Sequence, residues 1–90
     1  RQGVAALRAE SYQEALDQFR RAAELNPTHV LAWNNAGSVL MNNFDSPEEA
    51  RHYFQAGLEM EPLPILQMNL QKAAEAVSIH ERKSKRKKRE

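Results

Sequence analysis

Apolar residues recur at helical spacing along the chain. In the last third, Leu66, Leu70, Ala73 and Val77 follow one another at steps of four, three and four, which places them on one helix face. No segment alternates apolar and polar residues in the manner of a strand, and no long β-branched run occurs. The pattern therefore predicts an all-α chain. The predicted helices cover about residues 1–9, 12–25, 30–42, 47–60 and 64–80.

Two of these helices begin with the same signal. Ser11 and Ser46 are each followed three residues later by a glutamate, Glu14 and Glu49, which is the form of a capping box. Pro47 directly follows the second serine and suits the first position of a helix. We therefore expect helix starts just after residues 11 and 46.

A set of small, aromatic and proline residues occurs twice. The alanine-to-phenylalanine spacing is four residues and the phenylalanine-to-proline spacing is eight in both copies. The prolines are expected to end helices because proline cannot continue one. The two sets are Ala15, Phe19, Ala22 and Pro27, then Ala50, Phe54, Ala56 and Pro62.

A glycine precedes each set. Gly3 lies twelve residues before the first alanine, and Gly37 lies thirteen residues before the second, with Trp33 four residues upstream. Glycine inside a helix costs about 1 kcal/mol relative to alanine, so we interpret Gly3 and Gly37 as points of close helix contact. Phe54 and Trp33 are the predicted bulky side chains that fill the space left by Ala36, Gly37, Ala50 and Ala56.

These tryptophan, glycine, alanine, phenylalanine and proline residues, which we call marks, resemble those of the tetratricopeptide repeat family. The repeat unit of that family is about 34 residues, and the two prolines here lie 35 residues apart. The resemblance implies antiparallel helical hairpins stacked as a short right-handed α-solenoid. It assigns residues 1–80 to one domain: a first repeat at about 1–29, truncated at its start, a second at about 30–63, and a capping helix at about 64–80. The alternative for that last helix is the first helix of a truncated repeat that pairs with another chain. It also implies a non-enzymatic scaffold or adaptor that binds other proteins.

In that family the first helices of successive repeats line a groove that holds a partner's peptide or helix. Carried over, Val4 and Leu7 would flank the groove on one side and Leu66 or Asn69 on the other. A chaperone-type carboxylate clamp matches only at Asn35, so an apolar or amide-lined groove is preferred. The expected groove residues are Leu31, Asn34, Asn35, Ser38, Met41 and Asn42.

Catalytic and metal chemistry find little support. The chain has no cysteine, and its three histidines, His29, His52 and His80, lack the spacing of a helical zinc site. The acidic pair Glu48 and Glu49 is interpreted as favouring a helix start. We therefore expect no catalytic residues, no metal and no cofactor. No apolar stretch approaches the roughly 20 residues of a membrane span.

Charge is unevenly distributed. The formal net charge is +1, but residues 81–90 hold seven Lys/Arg and two Glu, whereas the preceding eighty hold six Lys/Arg and ten Asp/Glu. We expect this basic tail to be disordered or to extend the last helix. Its uses stay open: a solubilising end, a nuclear address at Lys85–Lys88, engagement of an acidic protein or an anionic membrane surface, or attraction to nucleic acid, which is not favoured because no aromatic residue is interleaved. The basic residues are Arg82, Lys83, Lys85, Arg86, Lys87, Lys88 and Arg89.

Three functions follow, in order of preference. The first is a protein-interaction module acting through the groove, the second a nucleic-acid or nuclear-targeting element acting through the tail. The third is self-association to a homo-oligomer, because about three repeats are usually needed for stability. An intracellular location is expected. The chain also has the appearance of a fragment of a longer protein.

Overall fold

A computed structural model describes residues 2–89, with side-chain surroundings for residues 10–84. Four α-helices make up the fold: α1 (Gln2–Leu25), α2 (Val30–Asn43), α3 (Pro47–Met60) and α4 (Pro64–Arg89). No strand occurs in residues 2–89. Each helix packs against the next through a short connection, so neighbours are antiparallel, and α2 and α4 also touch. This arrangement confirms the all-α prediction of stacked helical hairpins.

The core of the α2–α3 hairpin explains the alanine, phenylalanine and glycine marks. Phe54 of α3 is 1% exposed. A Cβ atom at Gly37 of α2 would lie 2.5 Å from Phe54 Cε1, so only glycine admits the ring at this distance. Ala36 and Ala50 are fully buried beside them. The predicted close contact between the paired helices is therefore present.

One small-residue assignment was wrong. Ala56 is only half-buried, whereas its neighbour Gly57 is buried. A Cβ atom at Gly57 would lie 3.1 Å from both terminal methyl groups of Leu66 in α4. Gly57 also lies 35 residues after Ala22, the same interval that separates the two prolines. Gly57 is thus the counterpart of Ala22, and its lack of a side chain lets α4 approach α3.

The first repeat departs from the predicted hairpin. Helix α1 runs through residues 10 and 11 without interruption, so the predicted helices at 1–9 and 12–25 form one helix. Neither glycine nor proline occurs between residues 4 and 26, so helix propensity continues across Ser11. The segment before residue 10 continues in line with the rest of α1 and does not fold back on it, and Ala15, Phe19 and Ala22 remain half-buried.

The second capping box is also not formed as predicted. Helix α3 does begin at Pro47 after Ser46, but the Ser46 hydroxyl makes no capping hydrogen bond to the helix. It donates instead to the Phe44 carbonyl at 3.2 Å. The preceding Asp45 has φ of +48°, a left-handed conformation that aspartate tolerates better than most residues. The sharp turn between α2 and α3 therefore positions Ser46 toward the loop.

Helix α4 covers α3 with the apolar stripe expected from sequence. Leu66, Ala73 and Val77 are buried and Leu70 is half-buried. The helix does not end near residue 80 but continues to Arg89, so the segment 81–89 extends it. In the part of the chain that the structure describes, no helix combines the length and apolarity required to cross a membrane.

Candidate functional site

One side of α2 carries all six predicted groove residues. Helical spacing of three, four and seven residues places Leu31, Asn34, Asn35, Ser38, Met41 and Asn42 on that side. Leu31 and Asn42 are exposed, and the remaining four are half-buried. The opposite side is occupied by core residues such as Ala36 and Leu40. The structure therefore presents the six residues together on one surface.

An amide pair joins this surface to α4. The Asn69 side-chain nitrogen donates to the side-chain oxygen of Asn34 at 2.7 Å, in a partly buried position. The two asparagines are 35 residues apart, which is also the interval between the prolines. Since α2 and α4 are both antiparallel to α3, they run in the same direction. Helix α4 thus stands beside α2 as the first helix of a following repeat would.

Helix α4 contributes apolar and cationic groups to the same surface. Ile65, Met68, Lys72 and Ile79 follow at steps of three, four and seven, which places them on one side of α4. Asn69 lies at the edge of that side nearest to α2. Ile65, Met68 and Ile79 are 43%, 51% and 49% exposed. We name the surface formed by the six α2 residues with Ile65, Met68, Asn69, Lys72 and Ile79 the α2–α4 face.

The two α4 residues expected beside the groove lie in different surroundings. Asn69 lies on the α2–α4 face, but Leu66 is fully buried against Gly57 and belongs to the core. Ile65, Met68 and Lys72 were missed, although a 3.6-residue projection of α4 starting from Asn69 would have indicated them. The side chains of Val4 and Leu7 lie outside the described residues.

A second surface lies on another side of α2, where side chains of α1 and α3 come together. A shallow cleft of about 370 Å³, open to solvent, is lined there by Arg20, Glu24, Trp33, His52 and Tyr53. The Trp33 and Tyr53 ring centroids are 5.8 Å apart, with the rings tilted by 43°. We name this the Trp33–Tyr53 cleft.

Hydrogen bonds fix the walls of the cleft. The Arg20 guanidinium donates to the Tyr53 hydroxyl at 2.8 Å and to Glu49 at 2.6 Å. Partial burial opposes the charge of Arg20, but these two partners outweigh it, and the pKa of Arg20 is raised. The Trp33 indole N–H donates to the Pro27 carbonyl at 2.8 Å. Arg20 therefore remains a fixed, charge-paired group that ties α1 to α3.

His80 joins α4 to the start of α3. Its Nδ1 lies 3.1 Å from Glu48, and its Nε2 lies 3.4 Å from Asp45. The backbone N–H of Glu48 donates to the Glu48 carboxylate and lowers its pKa. Slight burial opposes this shift, and the contact with His80 reinforces it. Glu48 thus favours the helix start, as expected, whereas Glu49 pairs with Arg20.

The remaining sequence candidates show no further site. His29 and His52 are exposed. No group of three histidine or carboxylate residues that could hold a metal ion occurs among the described residues. In the basic tail, Arg82 and Lys83 are exposed, and the side chains of Lys85–Arg89 lie outside the described part of the chain.

Comparison with known proteins supports the repeat interpretation. The family model described as "Tetratricopeptide repeat" matches residues 1–29. A peroxisomal targeting signal receptor of Kluyveromyces lactis is 36% identical over 87 residues, covering 80% of this chain and 15% of the relative. A peroxisomal targeting signal receptor of Pichia angusta is 44% identical over 48 residues, covering 53% of this chain and 8% of the relative.

The chain thus spans only a small part of either relative's length. No solved structure matches it. The matched repeat at residues 1–29 is followed by a second set of the same marks, ending at Pro62, and those marks form the packed α2–α3 hairpin. The chain therefore contains a tetratricopeptide repeat over residues 1–29, and the same alanine, phenylalanine and proline spacing recurs in the α2–α3 hairpin.

Proposed function

We propose that this chain is a non-enzymatic interaction module whose α2–α4 face binds an extended peptide of a partner protein. The observation that supports it best is the Asn34–Asn69 pair, flanked by exposed apolar side chains on two adjacent helices. An extended peptide presents backbone N–H and C=O groups at regular intervals, and side-chain amides can both donate to and accept from these groups.

The amide pair leaves hydrogen-bonding capacity for such a ligand. Each asparagine amide has two donors and an acceptor oxygen, and the mutual bond uses one donor of Asn69 and the oxygen of Asn34. Among described side chains, neither the Asn34 nitrogen nor the Asn69 oxygen has another hydrogen bond. A peptide strand can therefore accept from Asn34 and donate to Asn69 while the pair stays intact.

Apolar groups beside the pair suit side chains of the same peptide. Leu31 is 55% exposed on α2, and Ile65 is 43% exposed one helical turn before Asn69. Met68 and Met41 are flexible thioether side chains that adapt to differently shaped ligands. Lys72 adds a cation to the α4 side of the face. We therefore expect a ligand with at least one apolar side chain and a carboxylate.

The relatives suggest the class of ligand. Both are named as receptors for a peroxisomal targeting signal, and a C-terminal Ser-Lys-Leu sequence is one such address. We therefore infer that the partner segment is a targeting-type peptide and that the protein acts inside the cell. The relatives give no support to a nuclear address at Lys85–Lys88.

A labelled peptide tests this function. Fluorescence anisotropy with a fluorescein-labelled decapeptide ending in Ser-Lys-Leu should show saturable binding. The double substitution Asn34→Ala and Met41→Glu should raise Kd at least about tenfold, since it removes a hydrogen-bonding amide and places a charge beside the ligand. Asn43→Ala, an exposed asparagine of α2 outside the face, is the matched control and should leave Kd unchanged.

Two results would contradict the proposal separately. If the intact chain does not bind the Ser-Lys-Leu peptide, the targeting-type ligand is wrong. If the double variant retains both its helical circular dichroism and its affinity, the ligand does not occupy the α2–α4 face.

The basic segment is kept as a second candidate because α4 carries it as a continuation of a folded helix. If it attracts nucleic acid, binding should weaken steeply as salt rises and should be lost when residues 81–90 are deleted. Peptide binding on the α2–α4 face should survive that deletion.

A further inference from the structure

We propose that the Trp33–Tyr53 cleft binds an arginine side chain of a partner protein, at a site separate from the α2–α4 face. The cleft is separate from the proposed peptide surface, because Trp33 and Asn34 lie on different sides of α2. It combines two aromatic rings, an exposed carboxylate and a small open volume, and these three features favour one flat cation.

The aromatic rings supply the first element of recognition. Trp33 and Tyr53 are half-buried, and their rings lie against each other at a tilt of 43°, so they form one aromatic wall of the cleft. The Arg20 guanidinium carbon lies 5.8 Å from the Tyr53 ring centroid, so the Trp33 ring is the part of the wall that receives the partner's cation in this proposal. The negative face of an aromatic ring attracts a cation, most strongly for tryptophan, and arginine is the cation most often found there. A guanidinium is planar and less strongly hydrated than an ammonium, so it can stack on such a wall.

The charge balance of the cleft supplies the second element. The charge of Arg20 is compensated by Glu49 at 2.6 Å, and its orientation is fixed by the Tyr53 hydroxyl. Glu24 lies one helical turn further along α1 and is exposed. Within the described residues, Glu24 has no ion-pair partner. The formal charges of Arg20, Glu24 and Glu49 therefore sum to one negative charge, and exposed Glu24 is the carboxylate that supplies it.

The chain itself offers a clean reporter for this site. Trp33 is the single tryptophan in the sequence, and its indole N–H is held by the Pro27 carbonyl. Both its fluorescence and its indole N–H resonance therefore report on the cleft alone.

A pair of probes isolates the role of charge. Acetyl-Gly-Arg-Gly-amide is titrated into the full chain, and acetyl-Gly-citrulline-Gly-amide, which has nearly the same shape without the charge, is titrated in parallel. The arginine peptide should change Trp33 fluorescence in a saturable manner. The citrulline peptide should bind about two- to fivefold more weakly, as expected for an exposed cation–π contact of about 0.5–1 kcal/mol.

Two variants then assign the effect to the cleft. Glu24→Gln should weaken binding of the arginine peptide about two- to fivefold, in the range of an exposed ion pair. Glu14→Gln, an exposed glutamate on the same helix that does not line the cleft, should bind like the parent chain. The double variant Asn34→Ala with Met41→Glu should also bind the arginine peptide normally, which separates this site from the proposed peptide surface.

Equal binding of the arginine and citrulline peptides would refute the proposal, because shape rather than charge would then govern the cleft. Unchanged affinity in Glu24→Gln would also refute it. Tighter binding of acetyl-Gly-Glu-Gly-amide than of the arginine peptide would show that Arg20 dominates the cleft and that its ligand is an anion.

Discussion

The contact between Gly37 and Phe54 gives a prediction whose sign is not obvious from sequence. Replacing a helical glycine by alanine normally stabilises a helix by about 1 kcal/mol. At Gly37, however, the added Cβ would lie 2.5, 2.8 and 2.9 Å from three atoms of the Phe54 ring. Carbon atoms pack best at about 3.5–4.0 Å, so the ring or the helix would have to move by about 1 Å.

Phe54 cannot yield easily, because its ring is rigid and the residue is 1% exposed. Overpacking of this kind costs about 1–3 kcal/mol. Since the clash involves three ring atoms, we take the upper part of that range, and the helix-propensity gain offsets only part of it. Gly37→Ala should therefore lower the free energy of unfolding by about 1–2 kcal/mol. In a chain of this size each kcal/mol lowers Tm by about 4–8 °C.

Urea unfolding followed by circular dichroism measures this effect. Gly57→Ala is the matched control, because its Cβ would lie 3.1 Å from the terminal methyl groups of Leu66 and 3.2 Å from the Trp33 Cβ, which are longer distances than those at Gly37. Shifts of a few tenths of an ångström relieve these contacts, so the propensity gain should nearly cancel their cost and leave stability within about 0.5 kcal/mol.

A double-mutant cycle decides whether the ring is the cause. Phe54→Leu removes the ring atoms that the new Cβ would meet. In that background Gly37→Ala should cost less by at least about 0.5 kcal/mol, which is the coupling expected for residues in contact. If Gly37→Ala stabilises the protein, or if its cost is the same with and without the Phe54 ring, the packing argument is wrong.

Two further predictions concern α4 and the start of α3. Leu66→Ala should cost about 2–5 kcal/mol because Leu66 is fully buried, whereas Ile65→Ala, at a 43% exposed neighbour, should cost far less; equal losses in urea unfolding would contradict the core assignment of Leu66. Glu48→Gln should be less stable than the parent at pH 7, because the pKa of Glu48 is lower in the folded chain than its ordinary 4.5. That difference should be present above pH 4.5 and should shrink as pH falls through the folded pKa; a difference that grows in acid would show the opposite sign.

The sequence predicts the packing of α2 and α3 well because that packing depends on residue size at fixed spacing. Gly37, Ala50 and Phe54 are marks whose role follows from volume alone. The one-residue error at Ala56 arose because alanine was favoured over Gly57 as the recurring small residue. The constant 35-residue interval would have corrected it.

The first repeat was predicted less well because a helix break depends on competing energies. The Ser11 capping box offers a stabilisation of about 1 kcal/mol, whereas continuing the helix keeps its backbone hydrogen bonds. Without a glycine or proline between residues 4 and 26, no helix-breaking residue opposes continuation. Ala15, Phe19 and Ala22 are the residues expected to pack between the two helices of a first hairpin, and the described fold does not form that hairpin.

Only part of the two candidate surfaces follows from the sequence. The six α2 residues of the α2–α4 face follow from helical periodicity once the helix is known. The Asn34–Asn69 bond and the Trp33–Tyr53 cleft instead depend on contacts between helices, and on side-chain orientations, that periodicity does not supply. Ile65 and Met68 were missed because the apolar stripe of Leu66, Leu70, Ala73 and Val77, from which α4 was predicted, lies on a different side of that helix.

The continuation of α4 to Arg89 sets a distance between two chemically different surfaces. Asn69 and Lys85 are 16 residues apart on one helix, so about 24 Å separates them along its axis. A partner that binds the α2–α4 face and also carries acidic residues must span that length to reach the basic end. A linker matched to this span would raise the effective concentration of the second contact, whereas a shorter one would prevent it entirely. The helix would therefore select partners by the spacing of their binding motifs as well as by chemistry.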